Sequence, residues 1–186
     1  MKKWIFNPFV YIAGTKALLI GWSVMLATAW IGFYSHTHFD GVIDVHTGRV
    51  SPISIHFLEQ LVAWGVPVII FYVAGMIFSH SRIRLIDVAG TIALSRVVMI
   101  FPAVIGFGIH APAAKPKTLE DVMKMITPQT IGLGLLVMAF TIWMVALLYN
   151  AYSVSCNMKG GKATGVFIGG LVLSEIVAFI IIHQFL

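Results

Sequence analysis

Five runs of predominantly apolar residues, at 17–34, 58–78, 86–109, 130–149 and 164–182, fill most of a 186-residue chain. Each is near the ~20 residues that a helix needs to cross about 30 Å of hydrocarbon. Inside lipid every backbone amide needs an internal partner, and the short alternating segments of a membrane barrel are absent, so the runs read as helices. Composition agrees: 59% hydrophobic and only 10% charged residues leave too little polar surface to coat a globule in water. The expected fold is all-α, a polytopic membrane bundle of about five transmembrane helices in a single domain over 1–186, in a cell membrane.

The basic residues predict how that bundle sits. Lys2, Lys3, Lys16, Arg82, Arg84, Lys159 and Lys162 fall on one side, against Arg49, Lys115, Lys117 and Lys124 on the other. The first set is the larger, which places the N-terminus in the cytoplasm and, after five crossings, the C-terminus outside. Lysine and arginine are spread over short loops instead of one face, so the formal charge of +5 does not point to nucleic acid. Ala27-Thr28-Ala29 has the small-residue pattern of a signal-peptide cleavage site, and cleavage there would leave four spans. Against that, the apolar run continues through Trp30, Ile31, Phe33 and Tyr34. The aromatic stretch from Trp4 to Tyr11 suits a segment lying at headgroup level.

Loops and turns carry further expectations. Val42 to His46 and Arg49 to Ser51 flank Thr47-Gly48 in a pattern compatible with a small outer hairpin. Thr118-Leu119-Glu120-Asp121 supplies an N-cap for a short outer-face helix over about 119–126. The tight connection from Asn157 to Lys162 predicts that spans four and five pair antiparallel. Pro67 and Pro102 should kink their helices, and the GxxxG spacing of Gly165 and Gly169 would permit close helix approach.

Two ionisable residues sit well inside predicted spans, Arg96 in the third and Glu175 in the fifth. A charge near the bilayer centre costs about 2.5–3.5 kcal/mol on insertion scales, so such groups have partners. Both spans run outward from the same side, and at ~1.5 Å per residue the two charges lie at similar depth, roughly 15–17 Å in. An intramembrane ion pair between Arg96 and Glu175, acting as a structural clamp between helices, is the expectation. The competing reading makes the pair part of a transport pathway.

The first outer loop places His36, His38 and Asp40 at two-residue spacing, followed by Asp44 and His46. On a strand the first three would share a face, and three histidines with two carboxylates suffice to ligate zinc or copper. HxHxD resembles the opening of a binuclear hydrolase motif, but Gly41 stands where that motif wants a ligand. No cofactor is expected beyond such a loop metal, and the alternative is a polar hairpin at headgroup level. His80, His110 and His183 lie near span ends, so no mid-membrane histidine pair offers haem ligands. Gly21-Trp22-Ser23 has the outline of a serine nucleophile turn without a histidine at suitable depth. A phosphate loop, HExxH and paired protease glutamates are missing too, so an enzyme is not expected.

The run from Trp143 to Tyr152, the Lys159-Gly160-Gly161-Lys162-Ala163 turn, and Arg84 to Thr91 followed by Phe101-Pro102 are similar to segments of the Yip family of Ypt/Rab-interacting, five-span membrane proteins, in its prokaryotic branch. That resemblance spans most of the chain and implies a prokaryotic cytoplasmic membrane, with Asp87 and Pro102 as structural positions. Eukaryotic members carry a longer N-terminal region with an acidic-aromatic-glycine-proline motif, which these 16 or so residues before the first span lack, so Rab binding is not implied. The functional expectation is a non-enzymatic adaptor or organiser that binds membrane lipids and other membrane proteins, with oligomerisation open. The alternative is a small transporter or channel.

Overall fold

A computed structural model describes residues 2–48, 50–109 and 126–185. Among the described residues, five helices are long and apolar enough to cross a membrane: α2 (Gly14–Ser35), α3 (Ile53–Phe78), the segment Leu85–Gly108, α6 (Pro128–Ser155) and α7 (Gly160–Phe185). They fit a multi-pass membrane protein. A short α1 (Lys2–Phe6) and a 3-10 turn (Pro8–Val10) precede them. The expected outer-face helix at 119–126, like Arg49 and His110, lies outside the described residues, apart from Ile126.

The third span is the centre of the bundle. Within its most apolar stretch 72% of residues are buried, against 17–33% in the other four. It is also the irregular one. α4 (Leu85–Ser95) passes through a 3-10 turn (Arg96–Met99) into α5 (Ile100–Ile105) and a last 3-10 turn (Gly106–Gly108). Pro102 supplies the cause, because it lacks the N–H that would bond the carbonyl one turn earlier and its ring crowds that carbonyl. Pro67 has a milder outcome: α3 runs unbroken through it.

Small residues let α2 lie close against α4. A Cβ on Gly21 would stand 2.6 Å from the Ala93 Cβ, and one on Gly90 would strike the Gly14 carbonyl. The indole of Trp64 donates to the Ala89 carbonyl at 3.0 Å and ties α3 to the same helix. At the N-terminal end, the Trp143 indole donates to the Ile5 carbonyl (3.0 Å) and the Asn150 amide to that of Phe6 (2.8 Å), seating α1 on α6. Trp4, Phe6, Val10 and Tyr11 remain exposed, while Phe9 is buried.

Two helix contacts differ from expectation. The turn between α6 and α7 is tight, with Asn157 and Gly160 in the left-handed region (φ 49° and 75°). Yet α7 lies mainly against α3 and only lightly against α6. Phe71 explains this: its ring stacks on Phe167 at 5.5 Å and fills the space that a side chain at Gly170 would need. The GxxxG pair is the second difference, since nothing lies within 4 Å of where a Cβ on Gly165 or Gly169 would stand. The helix approach on this face is made at Gly170 instead.

Candidate functional site

Residues 36–52, between α2 and α3, form the feature that most departs from a simple bundle. α2 ends at His36 in the left-handed conformation (φ 53°), its N–H donating to the Gly32 carbonyl, and the chain turns back at once. β1 (Thr37–His38) then pairs antiparallel with β2 (His46–Thr47), Thr37 opposite Thr47 and His38 opposite His46. The hairpin therefore closes through residues 39–45, and Thr47-Gly48 is not its turn. Nor is it a purely polar surface hairpin. Thr37, His38, Phe39 and Val42 are buried, because the tip folds back into the bundle and carries apolar side chains with it.

The two intramembrane charges hold that tip. The Glu175 carboxylate accepts the backbone N–H groups of Val42 and Ile43 through Oε2, at 2.7 and 3.0 Å. Arg96 is fully buried and donates from Nη1 to the Val42 carbonyl at 2.9 Å and the Ala63 carbonyl at 3.3 Å. One peptide thus stands between cation and anion, its N–H toward Glu175 and its C=O toward Arg96. The expected direct contact is corrected: the ion pairs within 4 Å among the described residues do not include Arg96 with Glu175. Backbone dipoles of the loop replace it. A Cβ on Gly41 would strike the Glu175 carboxylate, so a side chain there would push it away from the Val42 and Ile43 N–H groups.

A second polar cluster lies at the base of the hairpin. His38 Nδ1 is 2.6 Å from Glu59 Oε1, and Glu59 Oε2 accepts the Phe39 N–H at 3.1 Å. His56, one turn earlier on α3, places Nδ1 3.9 Å from Glu59 Oε2. The His38 and His56 rings stack with centroids 4.4 Å apart, and the Ser51 hydroxyl lies 3.4 and 3.3 Å from their Nε2 atoms. His38, His56 and Glu59 are all buried, with donor atoms within 4.8 Å of one another. They are the residues that could hold a metal.

The loop residues singled out by sequence divide accordingly. His38 joins the cluster. His46 stacks on the outside of His38 at 5.3 Å and lies 3.3 Å from the Asp40 carboxylate, which burial pushes above its ordinary pKa against the opposing pull of His46. His36 and Asp44 are exposed and apart, because the left-handed turn at His36 breaks the strand that would have aligned it with His38. His56 and Glu59 are the partners that loop spacing misses. Their signal was the His56-x-x-Glu59 spacing, which puts both on one helical face. Of the remaining positions, Asp87 sits in the first turn of α4, 3.6 Å from Arg84 Nε, and Pro102 is buried below the hairpin end of the central span.

Beside His56 Nδ1, four buried polar atoms of Arg96 and Gln60 lack hydrogen-bond partners among the described residues: Arg96 Nε and Nη2, and both ends of the Gln60 amide. Compared with family models, curated proteins and solved structures, the chain finds no match.

Proposed function

We propose that this is a non-enzymatic membrane protein that works by binding, an adaptor or organiser of other membrane proteins or lipids. The observation that carries the reading is the engagement of Arg96 and Glu175 by the single Val42–Ile43 peptide of the 36–52 loop. Charges used in this way act as a clamp. They fix the loop as a rigid cap at one end of the bundle, and a rigid surface binds without the ordering cost that a mobile loop would incur. The Yip resemblance is proposed as one of fold, and five spans after a short aromatic segment support it.

A second reading, transport, is favoured by the unpartnered atoms of Arg96 and Gln60, since buried polar groups without partners are uncommon and mark sites that water or solute satisfies. Reconstitution into sealed vesicles separates the two. The binding reading expects proton and chloride fluxes equal to those of empty vesicles, and membrane-protein partners crosslinked in native membranes by wild type but lost in Glu175→Leu, whose loop is released. A flux that wild type supports and Arg96→Met abolishes would replace binding with transport.

A further inference from the structure

We propose that His38, His56 and Glu59 form a binding site for one divalent first-row transition ion, zinc being the best match, that pins β1 to the start of α3. Two imidazoles and one carboxylate suit zinc and its neighbours, whereas calcium and magnesium call for all-oxygen shells. Three protein ligands with a fourth position left for water is a familiar zinc arrangement.

Spacing supports the assignment. Zinc–ligand bonds of about 2.0–2.1 Å at tetrahedral angles separate ligand atoms by roughly 3.3 Å. The observed separations bracket that value: 2.6 Å from His38 Nδ1 to Glu59 Oε1 and 3.9 Å from His56 Nδ1 to Glu59 Oε2. Joint coordination also requires the two imidazoles, stacked at 4.4 Å and 26° between planes, to rotate so that both Nδ1 atoms point at one ion, and one Glu59 oxygen to swing between them. His56 Nδ1 is buried, 3.9 Å from the Glu59 carboxylate and without a well-formed hydrogen bond, although the Thr37 backbone also lies within reach of the ring. A neutral imidazole bonded through one nitrogen and ligating through the other is the usual state of a metal histidine. Ser51, against both Nε2 atoms, is placed to orient the two rings together.

The site does not depend on the adaptor reading, because it would tie the loop to α3 whatever the loop binds. Full-length protein carrying a non-histidine tag is purified in mild detergent, dialysed and assayed for metal, then titrated with zinc and with cobalt. About one ion per chain is expected, with an X-ray absorption shell of two imidazole nitrogens and oxygen near ~2.0–2.1 Å. His56→Gln should lose the ion while His36→Ala and Asp44→Asn keep it. Ser51→Ala should weaken zinc roughly 10–100-fold, as loss of a group that orients ligands does. His56→Cys should retain metal and add a sulfur scatterer at about 2.3 Å, which tests the ligand even if His56→Gln fails to fold. Monodisperse wild-type protein that takes up neither zinc nor cobalt, or an absorption shell unchanged in His56→Cys, would overturn the proposal.

Discussion

Exchanging the two intramembrane charges, Arg96→Glu together with Glu175→Arg, is expected to abolish folding instead of restoring it. Glu175 faces two N–H donors and Arg96 faces two carbonyl acceptors, all on the backbone. After exchange, an arginine at position 175 would meet donors and a glutamate at position 96 would meet acceptors. Leaving a buried charge unpaired costs about 3–5 kcal/mol, so two such sites approach roughly 6–10 kcal/mol. Total stabilities of about 5–15 kcal/mol leave little after that loss. Single neutralisations are milder. Glu175→Leu strands two N–H groups at about 1–3 kcal/mol each, and Glu175→Gln keeps an acceptor and most of the folded yield. Monodisperse yield by fluorescence-detected size exclusion in detergent measures the series. A swap that recovers more protein than either Arg96→Glu or Glu175→Arg alone would mean that the side chains pair directly.

The same residues show what the sequence makes legible. Their matching depth could be computed, because rise per residue is constant and both helices enter from one side. What stands between them could not. Val42 reaches Arg96 and Glu175 only because the chain reverses at His36 and folds residues 39–45 back into the bundle, and reversal of that kind is set by long-range contacts. Hydropathy likewise located five spans but shortened α3, whose first turns carry Ser54 and His56 before the apolar run at 58–78 and Glu59 and Gln60 at its very start. Polar residues that face a protein interior depress hydropathy as much as those facing water. For that reason the buried half of the candidate metal cluster was hidden at the edge of a span, while the exposed His36 and Asp44 looked like ligands. The packing of α7 on α3 was illegible for a related reason: loop length brings α6 and α7 together in sequence, but the fit of Phe71 against Gly170 decides the neighbour.

Glycine placement yields the other large effect. Gly21→Val and Gly90→Val should each destabilise the bundle severely, whereas Gly165→Val and Gly169→Val should leave the isolated chain's melting temperature nearly unchanged. All four glycines lie in apolar helices, so hydropathy and helix propensity do not separate them. Sterics do. At Gly21 the clashing atoms are the Ala93 backbone and Cβ, and at Gly90 they are the Gly14 carbonyl and the Leu18 nitrogen. Neither set can rotate away, so a branched side chain must push α2 off the central span. Overpacking costs about 1–3 kcal/mol where side chains can yield, and the rigid backbone here puts both sites at or above the top of that range. Separation also weakens dispersion along the whole contact, because close approach through small residues is what drives helix association where lipid is as apolar as the protein. At Gly165 and Gly169 the added methyls meet open space. Thermal unfolding in one detergent, followed by exposure of Cys156, which is buried against the Phe71 carbonyl, reads all four variants on one scale. Equal losses at Gly21 and Gly165 would show that the α2–α4 approach is looser than these distances require, and that the exposed glycine face is covered in the folded protein.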